Sequence, residues 1–281
     1  MQTYSLAYYI QSKYSSPVKR ANYQLLIIPE INEHQSVKDL KIDCSISEDH
    51  HIAKNLFGFN LIHYYSSNPI TEFWFKLTAT VTKQEVNPFP VSLLYAKEEY
   101  NLMSSLDFKI EYHRFLLETP LTKLPEHAPI VFPVYTGEIK LLDYLLELNM
   151  FIFDFLEYEP NSTDVNTPIE TVLYQKKGVC QDYAHLFLSV CRKNKIPARY
   201  VSGYLNQGED FLGTSQLHAW VEAYIPNAGW VGFDATNHLL ADHHYIKIAH
   251  GCDFRDCSPM IGVLETSGNQ KNIHSVKVTN Q

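Results

Sequence analysis

No stretch of this chain approaches the roughly 18 unbroken apolar residues that a bilayer-spanning helix needs, so the sequence predicts no membrane span. A surplus of positive charge is missing too. The formal net charge is −8, whereas a general nucleic-acid binder presents a basic face. The opening residues, MQTYSLAYYIQSKY, hold no basic leader followed by an apolar core and a small-residue cleavage site. No secretory signal is expected, and a cytoplasmic location is the default. Cysteine is scarce: Cys44, Cys180, Cys191, Cys252 and Cys257 are an odd five in 281 residues, which is not a disulfide framework. Eleven residues of continuous helix would part Cys180 from Cys191 by about 16 Å, beyond the ~7 Å between Cα atoms that a bridge tolerates.

What is present belongs to a globular chain. Hydrophobic residues make up 45% and aromatics 13%, and the length allows two domains of ordinary size. Residues 1–85 read as short strands, YSLAYYI, NYQLLIIP, VKDLKIDCSI, NLIHYYSS and FWFKLTATVTK, separated by turn-forming segments. That spacing suggests an antiparallel sandwich. Its histidines, His34, His50, His51 and His63, stand at no ligand-like interval from carboxylates and read as surface or edge residues. Residues 86–133 are rich in proline and read as a connector; its AKEEYNLMSSLDFKIEYHRFLLE stretch fits either a helix or a strand.

From 134 to 281 the pattern is helices first, then strands, an α+β layout in which a helix packs on an antiparallel sheet. Thr136–Pro160 carries a helical stripe of Leu141, Leu142, Leu145, Leu148, Phe151 and Ile152. KGVCQDYAHLFLSVCRKN then places Cys180 at a helix start, where free backbone N–H groups and the helix dipole favour a thiolate, the nucleophilic form of the side chain. Tyr183, Ala184, Phe187, Leu188 and Cys191 form the expected buried stripe, with Asp182, Arg192 and Lys193 toward water. Gln181 and Asp182 stand where they could shape a pocket entrance, although stabilisation of the helix start also accounts for Asp182.

A nucleophilic thiol needs a base and a group that orients it. LHAWVEAYIPNAGWVGFDATN reads as two strands joined by a Pro-Asn-Ala-Gly turn, with His218 on the first and Asp234 on the second. A turn centred on Pro226 sets the two directly opposite; one centred on Asn227 makes them diagonal neighbours on one face. A turn centred between residues parts them to opposite faces. Between IPARYVSGYL and these strands, NQGEDFLGTSQ reads as a mobile polar loop. The segments after Asp234, including GVLETSG and HSVKVTNQ, are expected to complete the same sheet. Trp220 and Trp230 flank the pair, as packing or as pocket lining. Cys252 and Cys257, with His243, His244 and His250 nearby, lack the two tight ligand pairs a zinc site prefers, so no metal and no cofactor is expected.

Taken together, GVCQDYAHL, IPARYVSGYL, HAWVEAYIPNAGWVGFDATN and HGCDFRDCSPMIGV resemble the bacterial transglutaminase-like superfamily, which includes proteins assigned as cysteine proteases. The likeness covers roughly Thr136–Gly268, and a weaker one relates residues 1–85 to the β-sandwich that precedes this core in many relatives. It implies a papain-like core and the roles of nucleophile, base and orienting acid for Cys180, His218 and Asp234. Tyr158 would be an aromatic donor to the oxyanion, with Gln181 and Trp220 at the pocket. The sequence departs from relatives at Gly251-Cys252-Asp253-Phe254, where a basic residue and a tyrosine are usual, at Cys257, and at Gly58-Phe59-Asn60. The resemblance implies cleavage or acyl transfer at a peptide or carboxamide bond through a thioester, with a protein or peptide substrate. Peptidase or amidase action is expected first, an amine-accepting transglutaminase second, and an inactive scaffold third.

Overall fold

A computed structural model gives the structure of the chain and describes residues 1–46, 50–90, 92–207, 211–213 and 216–281. The polar loop expected over 206–216 falls partly outside the described residues.

Six strands open the chain: β1 (Gln2–Val18), β2 (Ala21–Leu25), β3 (Gln35–Cys44), β4 (His51–Lys54), β5 (Asn60–Ser66) and β6 (Ile70–Lys83). In β1 and β6 alternate residues are buried, the two-residue period of strands with one face on a core. Two facing sheets share that core, with Tyr23 of β2 stacked on Phe73 of β6 at 3.9 Å between ring centres. Apolar and aromatic burial drives the pairing.

The connector is helical where the sequence fitted either state: α1 (Ala96–Ser104), α2 (Leu106–Glu111) and α3 (His113–Leu116). The buried carboxylate of Glu99 on α1 accepts the backbone N–H of Leu141 at 2.8 Å. It so satisfies one orphan donor at the start of α4 (Leu141–Phe155). That helix is shorter than the stretch expected from Thr136, and its buried face substitutes Tyr144 and Asn149 for the predicted Leu142 and Phe151.

A two-residue strand, β7 (Glu157–Tyr158), follows, then α5 (Ile169–Gln175), a parallel partner strand β8 (Lys177–Gly178), and α6 (Cys180–Lys193). Behind them lie β9 (Ala198–Leu205), β10 (His218–Ile225), β11 (Gly229–Asp234), β12 (Leu239–Leu240) and β13 (Tyr245–Gly251). These form one antiparallel sheet in the order β12-β11-β10-β9-β13. Helix α6 packs on β9 and β10, and Phe187 stacks on Phe233 of β11 at 5.5 Å.

Two sequence expectations need correction. Asp182 and Arg192 do not face water: each is 1% exposed. Helix α6 is enclosed by the sheet, α4 and the connector, so its polar residues find internal partners. Arg192 donates from Nη1 to Thr122 Oγ1 at 2.6 Å and from Nη2 to the carbonyls of Ala198 and Cys252. The second correction concerns the end of the chain. After a 3₁₀ turn (Phe254–Cys257), β14 (Met260–Leu264) pairs with β2, and β15 (Gln270–Asn280) pairs with β1 along eleven positions. The last two strands therefore complete the sandwich and not the sheet behind α6, so residues 134–281 are not one continuous domain.

Candidate functional site

The turn between β10 and β11 decides whether the histidine and the aspartate can meet. Val221 pairs with Phe233 and Ile225 with Gly229, which centres the hairpin on Asn227. Asn227 and Gly229 both take the left-handed backbone conformation, with φ of 64° and 85°. This conformation suits the Asn and Gly found there. His218 and Asp234 are thus diagonal neighbours, and His218 Nε2 lies 2.7 Å from Asp234 Oδ2 with both side chains sealed from water.

Asp234 is held from every side. Its Oδ2 also accepts from Tyr245 Oη at 2.8 Å and from Asn237 Nδ2 at 2.8 Å, while Oδ1 accepts the Thr236 N–H at 3.0 Å. Burial by itself would push this carboxyl up, but the charge of His218 and these hydrogen bonds carry it below the ordinary value. For His218 burial would strip the proton. The Asp234 carboxylate, and after it the Cys180 sulfur, outweigh that and lift the imidazole to about 10.

Among the described residues the other ring nitrogen, Nδ1, has no hydrogen-bond partner, and the Cys180 sulfur strengthens the ring's hold on its proton. Gly213 lies over the same nitrogen. A Cβ at that position would stand 2.3 Å from Nδ1, and its φ of +94° is one that L side chains rarely adopt. Asn237 ties this segment to the acid, since its Oδ1 accepts the Leu212 N–H at 3.0 Å and its Nδ2 donates to the Leu212 carbonyl at 3.1 Å.

Cys180 begins α6 and is half-buried, with Val179 as the helix cap. Asp182 Oδ2 accepts the Val179 N–H at 2.8 Å and the Thr163 hydroxyl at 2.6 Å, which fixes the turn that aims the thiol. Tyr158 pairs with Gly178 in the β7–β8 ladder, which sets it beside that turn. Burial first, and then Cys180, raises the Tyr158 phenol. Gln181 is 7% exposed, and its Nε2 has no hydrogen-bond partner among the described residues. Trp220 is 2% exposed and packs with Val201, Leu205 and Tyr245, stacked near His218. Trp230 lies under the guanidinium of Arg199 at 4.1 Å.

A second histidine, His185, lies five residues after Cys180 on the same helix. Burial drives it down to about 3, and its Nε2 accepts the Phe254 N–H at 3.2 Å. A neutral imidazole occupied in this way is a support, not a base. Phe254 packs edge-on against Tyr200. Cys257 is fully buried, and His250 lies against Arg199, Phe57 and Phe59, so these two and Cys252 do not gather with His243 and His244 around one point. Instead, His243 and His244 converge on Asp242, a residue the sequence reading had not grouped with them. It had also missed Tyr245 and Asn237 as partners of Asp234, because neither lies in a motif with spacing of its own.

With this geometry in hand, likeness to known proteins is informative. Residues 133–235, which hold all three of Cys180, His218 and Asp234, match the model of the Transglutaminase-like superfamily. An uncharacterized Mycobacterium tuberculosis protein is 33% identical over 150 residues, 50% of this chain and 48% of its own length. The chain therefore spans about half the length of such curated relatives. A Pseudomonas aeruginosa protein named protein-glutamine gamma-glutamyltransferase is 34% identical over 84 residues, 28% of this chain and 13% of its own. Among solved structures, "a Putative Cysteine Protease from Cytophaga hutchinsonii" superposes with a TM-score of 0.70 at 21% identity. It covers 99% of this chain and 90% of its own, so the sandwich-plus-core fold is shared throughout. No helix among the described residues is long and apolar enough to cross a membrane. Residues 133–235 thus form a domain that matches the Transglutaminase-like superfamily.

Proposed function

We propose that this protein is a thiol enzyme that opens a peptide or carboxamide bond through Cys180, with His218 as acid and base and Asp234 as its orienting partner. One observation carries the reading. A buried imidazole holds its Nε2 2.7 Å from a buried carboxylate, and the Cys180 sulfur at the start of α6 adds to the ring's hold on its proton. Each charge is compensated by the next, which is what makes such a buried set tolerable.

The thiolate of Cys180 attacks the carbonyl carbon, and the carbonyl oxygen takes the negative charge. Backbone N–H groups at the start of α6 meet that oxygen, with the Tyr158 phenol as a second donor. The tetrahedral species collapses, the C–N bond breaks, and the His218 imidazolium gives its proton to the leaving amine. A thioester on Cys180 remains. Neutral His218 then takes a proton from water as the water oxygen attacks the thioester carbon. The C–S bond breaks, the acid leaves, and the thiolate and imidazolium are restored. Gln181, from its first-turn position, and Trp220, behind the imidazole, are read as shaping the pocket; the substrate is a protein or peptide.

The name carried by the Pseudomonas aeruginosa relative favours a second reading, in which an amine replaces water. The first half-reaction is identical, so the test is product analysis. Glutamine-containing peptides are incubated with the protein, with and without a primary amine, and followed by mass spectrometry. Hydrolysed amide or cleaved peptide supports the hydrolase, and amine incorporation supports transfer. No product from the native chain beyond that of Cys180→Ala would contradict both and leave a binding scaffold.

A further inference from the structure

We propose that Asp242, His243 and His244 form a binding site for a divalent transition ion of the zinc class, separate from Cys180 and independent of the reaction assigned to it. The three sit on the turn between β12 and β13, and one ligand atom from each lies within 4.8 Å of the others. His244 Nδ1 is 3.0 Å from both Asp242 oxygens, and His243 Nδ1 is 3.8 Å from Oδ2. In a tetrahedral zinc site with ligands at ~2.0–2.1 Å, neighbouring donor atoms stand about 3.3 Å apart. The two aspartate–histidine separations bracket that figure and the histidine–histidine one is within 4.8 Å, so side-chain rotations bring the three donors onto one ion.

An ordinary Asp–His pair explains one of these contacts. The second imidazole nitrogen stands 3.8 Å from the same carboxylate, beyond hydrogen-bond range but within the spread of ligand atoms around one ion. The two rings stand 4.1 Å apart, an arrangement in which one ion can take a nitrogen from each. The backbone beneath them is fixed: the Tyr245 N–H reaches Asp242 O at 3.2 Å, the Asn206 N–H reaches His244 O at 3.1 Å, and Tyr4 Oη reaches His243 O at 3.2 Å. The side chains are 22%, 24% and 34% exposed, so an ion has access. Asp242 and His243 also border a cavity of about 590 Å³ between the sandwich and the sheet, where water can fill the open coordination position. Two nitrogens and one carboxylate suit zinc, copper or nickel. Calcium and magnesium require more oxygen donors than this turn presents.

The test uses the full chain carrying Cys180→Ala, because a thiol beside an imidazole is itself a zinc ligand set. Equilibrium dialysis against Zn²⁺ is expected to show one ion per chain, undisturbed by excess Mg²⁺ or Ca²⁺. His244→Ala and Asp242→Asn should each weaken binding by at least about tenfold, as loss of a ligand or its support does. Co²⁺ should show tetrahedral visible bands with no thiolate-to-metal band. These side chains lie at the surface of a turn, and unchanged thermal unfolding without metal confirms that the variants fold. Absence of binding, binding equal in the His243→Ala/His244→Ala double variant, or a thiolate band placing the ion on Cys44 or Cys252 would overturn the proposal.

Discussion

Tyr245 Oη donates at 2.8 Å to the same Asp234 oxygen that meets His218 Nε2. The phenol comes from β13, outside the hairpin that carries the pair, so the sheet and not the hairpin alone fixes the acid. A hydrogen bond to a charged group contributes about 1.5–3 kcal/mol, and one pKa unit is about 1.4 kcal/mol. Tyr245→Phe should therefore raise the Asp234 carboxyl and move the acid limb of the pH–rate profile upward. A merely structural role for Tyr245 would lower the melting temperature and leave the limb in place.

Gly213 and His218 approach so closely that a methyl group cannot stand between them. In Gly213→Ala either the imidazole or the loop shifts, and a displacement of about 1 Å at a reacting group costs about a hundredfold in rate. Turnover should fall by that order, and the left-handed backbone at this position adds a loss of stability of about 1–3 kcal/mol. Equal turnover in the variant would show that the imidazole has room to move.

Asp182 is expected to act on the start of α6 and not on substrate. Asp182→Ala frees the Val179 N–H and the Thr163 hydroxyl and should cost about 1–2 kcal/mol in urea unfolding. Asp182→Asn keeps an acceptor for Val179 and should recover part of that loss. Failure of Asn to do better than Ala would remove the capping account.

The His218–Asp234 pair also sets a pH dependence of stability. His218 is raised from 6.5 to about 10, so its contribution is complete below the unfolded value and drains away as pH climbs through about 10. Asp234 is depressed, so its share is present above the unfolded carboxylate value and is lost as pH falls toward the lower folded one. The melting-temperature gap between native chain and His218→Gln should be widest near pH 5–6 and close toward about pH 10. A gap that widens with alkali would contradict the charge assignment.

Much of the site could be read from sequence because its members lie inside long motifs. Cys180 precedes a helical stripe, and His218 and Asp234 lie on strands whose turn residues, Asn227 and Gly229, limit the register to a few choices. What eluded the sequence was contact between distant segments. Arg192 reads as a solvent-facing cation in any helical projection, yet Thr122 from the connector and two carbonyls enclose it. Strands β14 and β15 alternate as well as those of the sheet behind α6, and nothing local says that they return to β2 and β1. Tyr245 and Asn237 gain meaning only once Asp234 is in place.

Alkylation by iodoacetamide, resolved for each cysteine by mass spectrometry between about pH 5 and about pH 9, tests the thiol directly, because the thiolate is the reacting form. Cys180 should react well ahead of Cys44 and Cys252, whose thiols burial pushes up, Cys252 to about 11. Its rate should drop by about tenfold or more in His218→Ala. Equal rates at the three cysteines, or a Cys180 rate indifferent to the loss of His218, would contradict an activated sulfur at the head of α6.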